Sequence, residues 1–185
     1  LDNTDIIFTT DHGELQGDFG LLFKGPYHVD ALMRLPLIWK PAGNTQASSI
    51  AAPVGHLDLA STFCEIADIE VPDYCQGQPL PRTNAQAESQ NRDCVLTEWD
   101  SEHGPIDMHL ASIYEQSGWL ATRYRESTLY DGSEGELYNM SEDPQQTVNL
   151  WTDPSSKGIR DDLVDLLEAR LPKTRSPRLE RQAPV

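Results

Sequence analysis

The 185-residue sequence has little positive charge and no long apolar run. Its 14 lysines and arginines are outnumbered by 30 aspartates and glutamates, which gives a formal net charge of -16. Nucleic acids and anionic membrane surfaces both require a basic face on their partner, so we expect neither as a partner. No apolar run reaches the roughly 20 residues that a membrane helix needs. The ordinary apolar and charged fractions indicate a globular protein.

Cysteine is also scarce. The three cysteines, Cys64, Cys75 and Cys94, match no close-spaced zinc pattern, and none has the surroundings of a nucleophile. Three cysteines without pattern favour a reducing compartment such as the cytoplasm, although one disulfide with a spare thiol stays open. The chain starts at Leu1 without an initiator methionine. We expect it to begin inside a domain, so any signal peptide would lie upstream.

The residues with chemical potential follow the first apolar run. Residues 6–8 are predicted to form a buried strand, and Asp11, His12 and Gly13 follow its end. In an open α/β sheet, ligands bind at the carboxyl ends of strands. A carboxylate oxygen and an imidazole nitrogen can supply half of a divalent metal site if the backbone turns at the glycine. The alternative is a strand-to-loop turn with two solvated polar residues.

The next part of the chain predicts a second strand and a helix. Residues 35–39 are predicted to form the strand. Asp58 is the predicted N-cap of the helix, whose apolar face carries Leu59, Phe63 and Ile66 at helical spacing. Residues 76–93 are rich in polar residues and are predicted to be a surface loop at a subdomain boundary.

The C-terminal half has the alternation that is typical of antiparallel strands. Residues 95–99 predict a short strand, and residues 108–114 and 119–124 predict a hairpin. Residues 129–130 and 137–138 predict a second hairpin.

A helix is predicted to follow, with Asp153 as its cap and Pro172 as its end, and the basic tail from Lys173 is predicted to be mobile. We therefore expect an α/β protein in two parts. Residues 1–80 would be the closing strands and helices of a large mixed sheet. Residues 81–185 would be a smaller antiparallel sheet with a C-terminal helix.

Several short motifs, taken in order, resemble the sulfatase branch of the alkaline phosphatase superfamily. They are Asp11-His12-Gly13-Glu14, Gly17-Asp18-Phe19-Gly20, Lys24-Gly25-Pro26-Tyr27, Arg34-Leu35-Pro36-Leu37-Ile38, Asp58-Leu59-Ala60-Ser61-Thr62 and Gly135-Glu136-Leu137-Tyr138-Asn139. The fifth motif has Ser61 where the family has proline. The resemblance implies the C-terminal part of a sulfatase-like fold and a metal-dependent sulfuric ester hydrolase.

The same resemblance assigns roles to individual residues. It implies that Asp11 and His12 hold a divalent cation, which would be Ca²⁺, with Mn²⁺ allowed because one ligand is nitrogen. It implies that Lys24 contacts the sulfate group, where a fixed ammonium stabilises developing negative charge. His28 is a second catalytic candidate, as a contact or as a proton donor to the leaving group. Its alternative is a packed or surface histidine.

Two further groups are weaker candidates. Glu14 either orients His12, as metal-bound histidines usually require, or is a surface acid. His103, Asp107 and His109 have loose metal spacing, and we interpret them as part of a surface loop that enters a strand.

Essential parts of a sulfatase have no counterpart in the sequence. The family's nucleophile is a formylglycine made from Cys or Ser in a Cys/Ser-x-Pro-x-Arg motif, and Ser176-Pro177-Arg178 lacks that spacing. The early pair of metal carboxylates is absent too. We expect these groups in an upstream portion, which makes the isolated chain inactive.

Three functions remain open. The intact parent is expected to hydrolyse a small sulfate ester. The alternatives are a phosphate or phosphonate monoester hydrolase of the same superfamily, and a truncated chain or binding module without catalysis. The first strand would lack sheet neighbours in the isolated chain. It would then expose apolar surface or recruit a partner chain, so an oligomer is allowed.

Overall fold

A computed structural model describes residues 2–44, 46–103 and 105–172. The strands in these ranges are β1 (Ile6–Thr9), β2 (Leu37–Lys40), β3 (Cys94–His103), β4 (Ile106–Glu115), β5 (Trp119–Tyr124) and β6 (Gly135–Asn139). The α-helices are α1 (Asp30–Met33), α2 (Leu57–Ile66), α3 (Asn84–Ser89) and α4 (Lys157–Arg170). No described helix is long and apolar enough to cross a bilayer. The mobile tail predicted from Lys173 lies outside the described residues.

The first two strands form a small antiparallel sheet. Their register pairs Ile6 with Lys40 and Thr9 with Leu37, so both strands lie close to their predicted positions. The side chains of Phe8 and Ile38 are 59% and 64% exposed on this sheet. A sheet of two short strands with uncovered apolar side chains has little stability of its own. The uncovered surface agrees with the expectation that the isolated chain exposes apolar groups.

Helix α2 forms where predicted, but it turns the opposite face inward. Its buried residues are Asp58, Ser61 and Thr62, whereas Phe63 is 52% exposed. Leu59, Phe63 and Ile66 line an open cavity of about 300 Å³ together with Asp5, Ile7 and Thr9 of the β1 region. The predicted apolar core face was therefore wrong for the described residues.

Hydrogen bonds and an ion pair explain why the polar face of α2 is buried. Asp58 lies in the first turn, not at the N-cap, which is His56. Its carboxylate accepts the N–H groups of Gly55 at 3.1 Å and Gln78 at 3.0 Å. Arg92 completes the arrangement with a 2.7 Å ion pair, in which both side chains are at most 10% exposed. These hydrogen bonds and the ion pair offset the cost of taking the carboxylate out of water.

Helix α3 lies inside the stretch that was predicted to be a surface loop. Thr83 caps it by accepting the N–H of Gln86 at 3.1 Å, and Gln86 accepts the N–H of Arg82 at 2.8 Å. This arrangement is close to a capping box. Ala87 is the buried residue of the helix. The loop prediction was wrong because it followed the polar composition and overlooked the cap.

The second sheet is an antiparallel meander with the order β3-β4-β5-β6. The predicted hairpin between β4 and β5 is confirmed, and Tyr114 pairs with Leu120. The second predicted hairpin was wrong, because β6 pairs with β5 through Trp119 and Asn139. Leu129 lies outside the strands and is 51% exposed. The free edge of β5 offers β6 a full ladder of hydrogen bonds, which two residues could not provide.

Helix α4 packs on this meander and forms the main core. Asp153, the predicted cap, caps a 3-10 turn of residues Pro154–Ser156 that leads directly into α4, with its carboxylate accepting the N–H of Ser155 at 3.0 Å. The cluster of buried residues contains Ala111, Ile113, Ala121, Leu137, Trp151, Leu163, Leu167 and Leu171. Each fully buried leucine or isoleucine contributes about 1.5–3 kcal/mol to folding. The structure thus has the predicted α/β class, and the proposed division near residue 80 stays a prediction.

Candidate active site

The backbone turns directly after β1, as the sequence predicted. Thr10 donates its hydroxyl to the carbonyl of His12 at 3.1 Å, and Asp11 accepts the N–H of His12 at 3.0 Å. Gly13 donates its N–H to the carbonyl of Leu32 at 2.9 Å. A Cβ at position 13 would lie 1.9 Å from the carbonyl oxygen of Ala31. Only glycine fits here, because the turn packs against the backbone of α1.

Three predicted site residues converge at this turn. The carboxylate Oδ2 of Asp11 lies 3.4 Å from Nε2 of His12. The Nζ of Lys24 lies 2.5 Å from the same Nε2. Nδ1 of His12 lies 2.7 Å from the carbonyl oxygen of Gly13, which can only accept, so Nδ1 carries the proton and Nε2 has its lone pair free. Lysine donates to that lone pair.

The partner that orients His12 is a backbone carbonyl and not Glu14. Glu14 accepts the N–H of Leu15 at 3.3 Å. The ring of His12 is instead fixed by the carbonyl of Gly13. A carbonyl that holds the Nδ1 proton has the role expected of the outer partner of a metal-bound histidine.

The donor set suits a cation. The backbone N–H of His12 holds the pKa of Asp11 below its usual value, and the side chain is 82% exposed and open to a ligand. His12 adds the nitrogen Nε2, whose lone pair faces the ammonium of Lys24 in this structure, so a metal bound at Nε2 would take the place of that ammonium. Two ligands are half of a shell, and no group of three or more possible ligands occurs among the described residues. Asp11 and His12 therefore fit a divalent metal that takes further ligands from elsewhere.

His28 does not join these three residues. Its side chain is 3% exposed, and its Nδ1 lies 2.5 Å from Oγ of Ser112 on β4. Ser112 in turn lies 2.8 Å from Oγ1 of Thr122 on β5. Burial lowers the pKa of His28 to about 4, so the imidazole is neutral at neutral pH. This is the packed environment that was its alternative, and proton donation by His28 stays a prediction.

Sequence reasoning passed over Ser112 and Gln146. Ser112 stands between Ala111 and Ile113, which are both fully buried. A hydroxyl inside a continuous buried run must find a partner, and this signal was available in the sequence. Gln146 accepts the N–H of Asp30 at 2.6 Å across 116 residues of chain, and no local pattern indicates such a contact.

The group around His109 lies in extended strands and not in a surface loop. His109 and Asp107 belong to β4, and both point to the side of the sheet that carries Asp100 of β3. Nδ1 of His109 lies 2.8 Å from Asp100, and Nε2 lies 3.2 Å from Asp107. The loop interpretation was wrong, because the β3–β4 ladder continues to the pair of His103 and Ile106. Both ring nitrogens of His109 are engaged by carboxylates.

Residues 17–173 match the protein family described as N-sulphoglucosamine sulphohydrolase, C-terminal. YidJ, an uncharacterized sulfatase of Escherichia coli (strain K12), is 30% identical over 179 residues, which are 95% of this chain and 34% of YidJ. A Delta 4,5-hexuronate-2-O-sulfatase of Bacteroides thetaiotaomicron is 27% identical over 164 residues, which are 85% of this chain and 32% of that protein. The chain thus spans about a third of the length of these relatives.

Solved structures agree with these relationships. A 2-O GAG sulfatase superposes with a TM-score of 0.77 at 25% identity, over 91% of this chain and 36% of its own. The phosphonate monoester hydrolase of Agrobacterium radiobacter shares the fold, with a TM-score of 0.71 at 20% identity, over 91% of this chain and 35% of its own. The chain belongs to the N-sulphoglucosamine sulphohydrolase C-terminal family and carries the C-terminal portion of a sulfatase-type fold.

Proposed function

We propose that the intact protein containing this chain is a metal-dependent hydrolase of sulfate monoesters. The observation that carries the proposal is the convergence of Asp11, His12 and Lys24 at the turn after β1. A carboxylate, a nitrogen lone pair and an ammonium close together at one turn match the needs of an anionic ester. The kinship with sulfatases supports the same reaction class.

Each residue has a defined role in this proposal. Asp11 and His12 would hold a divalent cation, Ca²⁺ or Mn²⁺, which when bound supplies Lewis-acid polarisation of the ester. The carbonyl of Gly13 keeps the proton on Nδ1 of His12, so that the lone pair of Nε2 would bind the metal once the ammonium of Lys24 turns to the sulfuryl group. Lys24 would bind the transferred sulfuryl group and offset the charge that grows on its oxygens. The formylglycine nucleophile and the remaining metal ligands would come from an upstream portion of the parent.

Substitution of the two ligands in the full-length parent tests the proposal. Asp11→Ala and His12→Ala should each lower bound metal, measured by elemental analysis, and turnover of an aryl sulfate by about 10² or more. Asp18→Asn and His56→Gln are matched controls, because both side chains are exposed and lie outside the turn. They should keep the metal content and the rate. Unchanged metal content and rate in both ligand variants would refute the proposal.

A phosphate or phosphonate monoesterase is the second candidate. A multifunctional alkaline phosphatase superfamily protein, PehA of Trinickia caryophylli, is 41% identical over 81 residues, which are 43% of this chain and 16% of PehA. Sulfate and phosphate esters share shape and oxygen ligands, so the described residues serve either. The ratio of kcat/KM for an aryl sulfate to that for the matching aryl phosphate and phosphonate, measured on the parent, decides between them. A higher kcat/KM for phosphate or phosphonate would favour this second candidate.

The isolated chain itself is proposed to be non-catalytic. The described residues bring together no group of three or more metal ligands, which is too few for a complete site. The sheet of β1 and β2 also leaves Phe8 and Ile38 exposed. The purified 185-residue chain should show no ester hydrolysis above background in the presence of Ca²⁺ or Mn²⁺. Measurable turnover that disappears in Asp11→Ala would contradict it.

A further inference from the structure

The segment between Lys24 and α1 forms a stiff connection. Gly25 packs closely against the ring of Tyr27. A Cβ at position 25 would lie 2.6 Å from a ring carbon. Pro26, the residue between them, has a fixed φ. His28 follows at once and is buried. A shift of His28 would therefore be passed along the chain to Lys24.

The same segment supports the other side of the site. Helix α1 starts two residues after His28, and its Leu32 carbonyl accepts the N–H of Gly13 at 2.9 Å. Leu15, Val29 and Leu32 form a small buried cluster between the turn and the helix. The turn with Asp11 and His12 therefore packs against residues 28–33, and Lys24 is joined to the same residues through the short segment 25–27.

Two polar contacts, one buried and one partly buried, fix residues 28–33 to the C-terminal half. One joins His28 to Ser112 of β4, two residues that are 84 positions apart in the sequence. The other joins the N–H of Asp30 to Oε1 of Gln146 at 2.6 Å. The two contacts lie on either side of Val29, which is 6% exposed. A pair of directional contacts fixes orientation as well as position, which apolar packing alone would leave looser.

Gln146 holds its contact at an energetic cost. Its backbone has a φ of 54°, in the left-handed region that non-glycine residues rarely adopt. Its side chain is 4% exposed, and its Nε2 has no hydrogen-bond partner among the described residues. Backbone strain and an unpaired buried donor each cost stability. Both costs fall on the residue that caps α1 from the other half of the molecule.

From these contacts we infer that Ser112 and Gln146 are positioning residues for the active site. Acting through His28 and Asp30, they fix the segment on which Lys24 and the turn of Asp11 and His12 rest. The meander β3-β4-β5-β6, which carries Ser112, is then a platform that sets the geometry of the reaction. The inference rests on the proposed hydrolysis of a sulfate ester, because it concerns the placement of Lys24 in that site.

A double-mutant cycle in the full-length parent tests whether Ser112 acts through Lys24. Displacement of a reacting group by about 1 Å can cost on the order of 10²-fold in rate. We expect Ser112→Ala to lower kcat for an aryl sulfate by about tenfold or more. In the Lys24→Ala background the same change should cost clearly less than in the wild type, because one of the displaced parts of the site is already gone. Equal losses in both backgrounds would overturn the inference.

Two further variants separate positioning from general stability. Ser61→Ala is the matched control, since Ser61 is a fully buried serine whose hydroxyl donates to Gly77 at 2.7 Å, away from the site. It should lower the melting temperature but leave kcat unchanged. Ser112→Thr keeps the hydroxyl and should restore kcat. A kcat loss in Ser61→Ala equal to that in Ser112→Ala at matched stability would also overturn the inference.

Amide hydrogen exchange gives a readout that does not depend on activity. In the metal-free parent, Ser112→Ala and Gln146→Ala should each speed exchange in residues 24–33, whereas Ser61→Ala should not. Unchanged exchange there would count against positioning. The proposed function fails separately: if Lys24→Ala keeps full activity, the reaction is misassigned. If Lys24→Ala lowers activity but Ser112→Ala causes the same loss in both backgrounds, only the positioning role of Ser112 is refuted.

Discussion

Replacement of Gly13 by alanine should disable the candidate site through a backbone clash. The new Cβ would lie 1.9 Å from the carbonyl oxygen of Ala31, and ordinary contact begins at 3.4 Å. The turn or α1 must therefore move by about 1.5 Å, the difference between these distances. The clashing atoms belong to the backbone, so rotation of a side chain cannot relieve it.

The size of the effect follows from this displacement. Overpacking of this kind destabilises a protein by about 1–3 kcal/mol. A shift of more than 1 Å in a site that must hold its groups in register costs on the order of 10²-fold in kcat/KM. The assays are urea denaturation, turnover of an aryl sulfate and bound metal, all measured on the full-length parent carrying Gly13→Ala.

Gly158 provides the matched control for this substitution. It lies in α4, and nothing stands within 4 Å of a Cβ built at that position. Gly158→Ala should stabilise the protein by about 0.5–1 kcal/mol, because alanine is the better helix former, and should leave turnover unchanged. If Gly13→Ala behaves like Gly158→Ala in stability and activity, the close packing of the turn against α1 is wrong.

Three other predictions concern stability. Arg92→Ala leaves the carboxylate of Asp58 buried without its cation and should cost about 3–5 kcal/mol in urea denaturation. Arg82→Ala breaks an exposed pair and should cost about 0–1 kcal/mol, so equal losses would contradict the burial argument. Burial lowers the pKa of His28 from 6.5 to about 4, so stability should fall by on the order of 3 kcal/mol as the pH drops from 6.5 to 4. His28→Gln should weaken this dependence of stability on pH. A dependence as steep as that of the wild type would exclude His28 as its cause. His109 behaves in the opposite way: its bond to Asp100 raises its pKa, so its contribution is full below pH 6.5 and disappears as the pH rises through the raised value. His109→Gln should remove this loss at high pH, and an unchanged loss would exclude His109 as its source.

The local part of the site could be predicted from the sequence, and the geometry bears this out. A strand that ends in Asp11, His12 and Gly13 is a pattern within eight residues, and the structure forms the strand and the turn there. The approach of Lys24 to His12 was expected from the resemblance, because Lys24 follows His12 by twelve positions and this spacing alone does not predict a contact.

Helix α2 shows where sequence patterns fail. Its existence was predicted correctly and its start was predicted two residues too late, but its orientation depends on Arg92, which is 34 residues beyond Asp58. Hydrophobic periodicity assigns the apolar face to the core. Here a satisfied polar network occupies the inner face, and the apolar face lines an open cavity. No count of apolar residues within the helix could reveal that.

Distance along the chain sets the limit for the rest of the site. The contact of His28 with Ser112 spans 84 residues and that of Asp30 with Gln146 spans 116. A single sequence carries no signal for which polar residues will meet over such separations. The capping pattern of α3, with Thr83 and Gln86 three residues apart, was readable and was overlooked.

These two long-range contacts also fix the order in which the site can be completed during synthesis. The ribosome makes Asp11, His12 and Lys24 first, but the residues that lock them in place emerge only after Ser112 and then Gln146 have been added. A translation product that ends between Ser112 and Gln146 would carry the reactive side chains on a segment fixed by one contact. One that ends before Ser112 would have neither contact. We therefore expect no hydrolytic activity from a nascent or truncated chain that lacks Ser112 and Gln146.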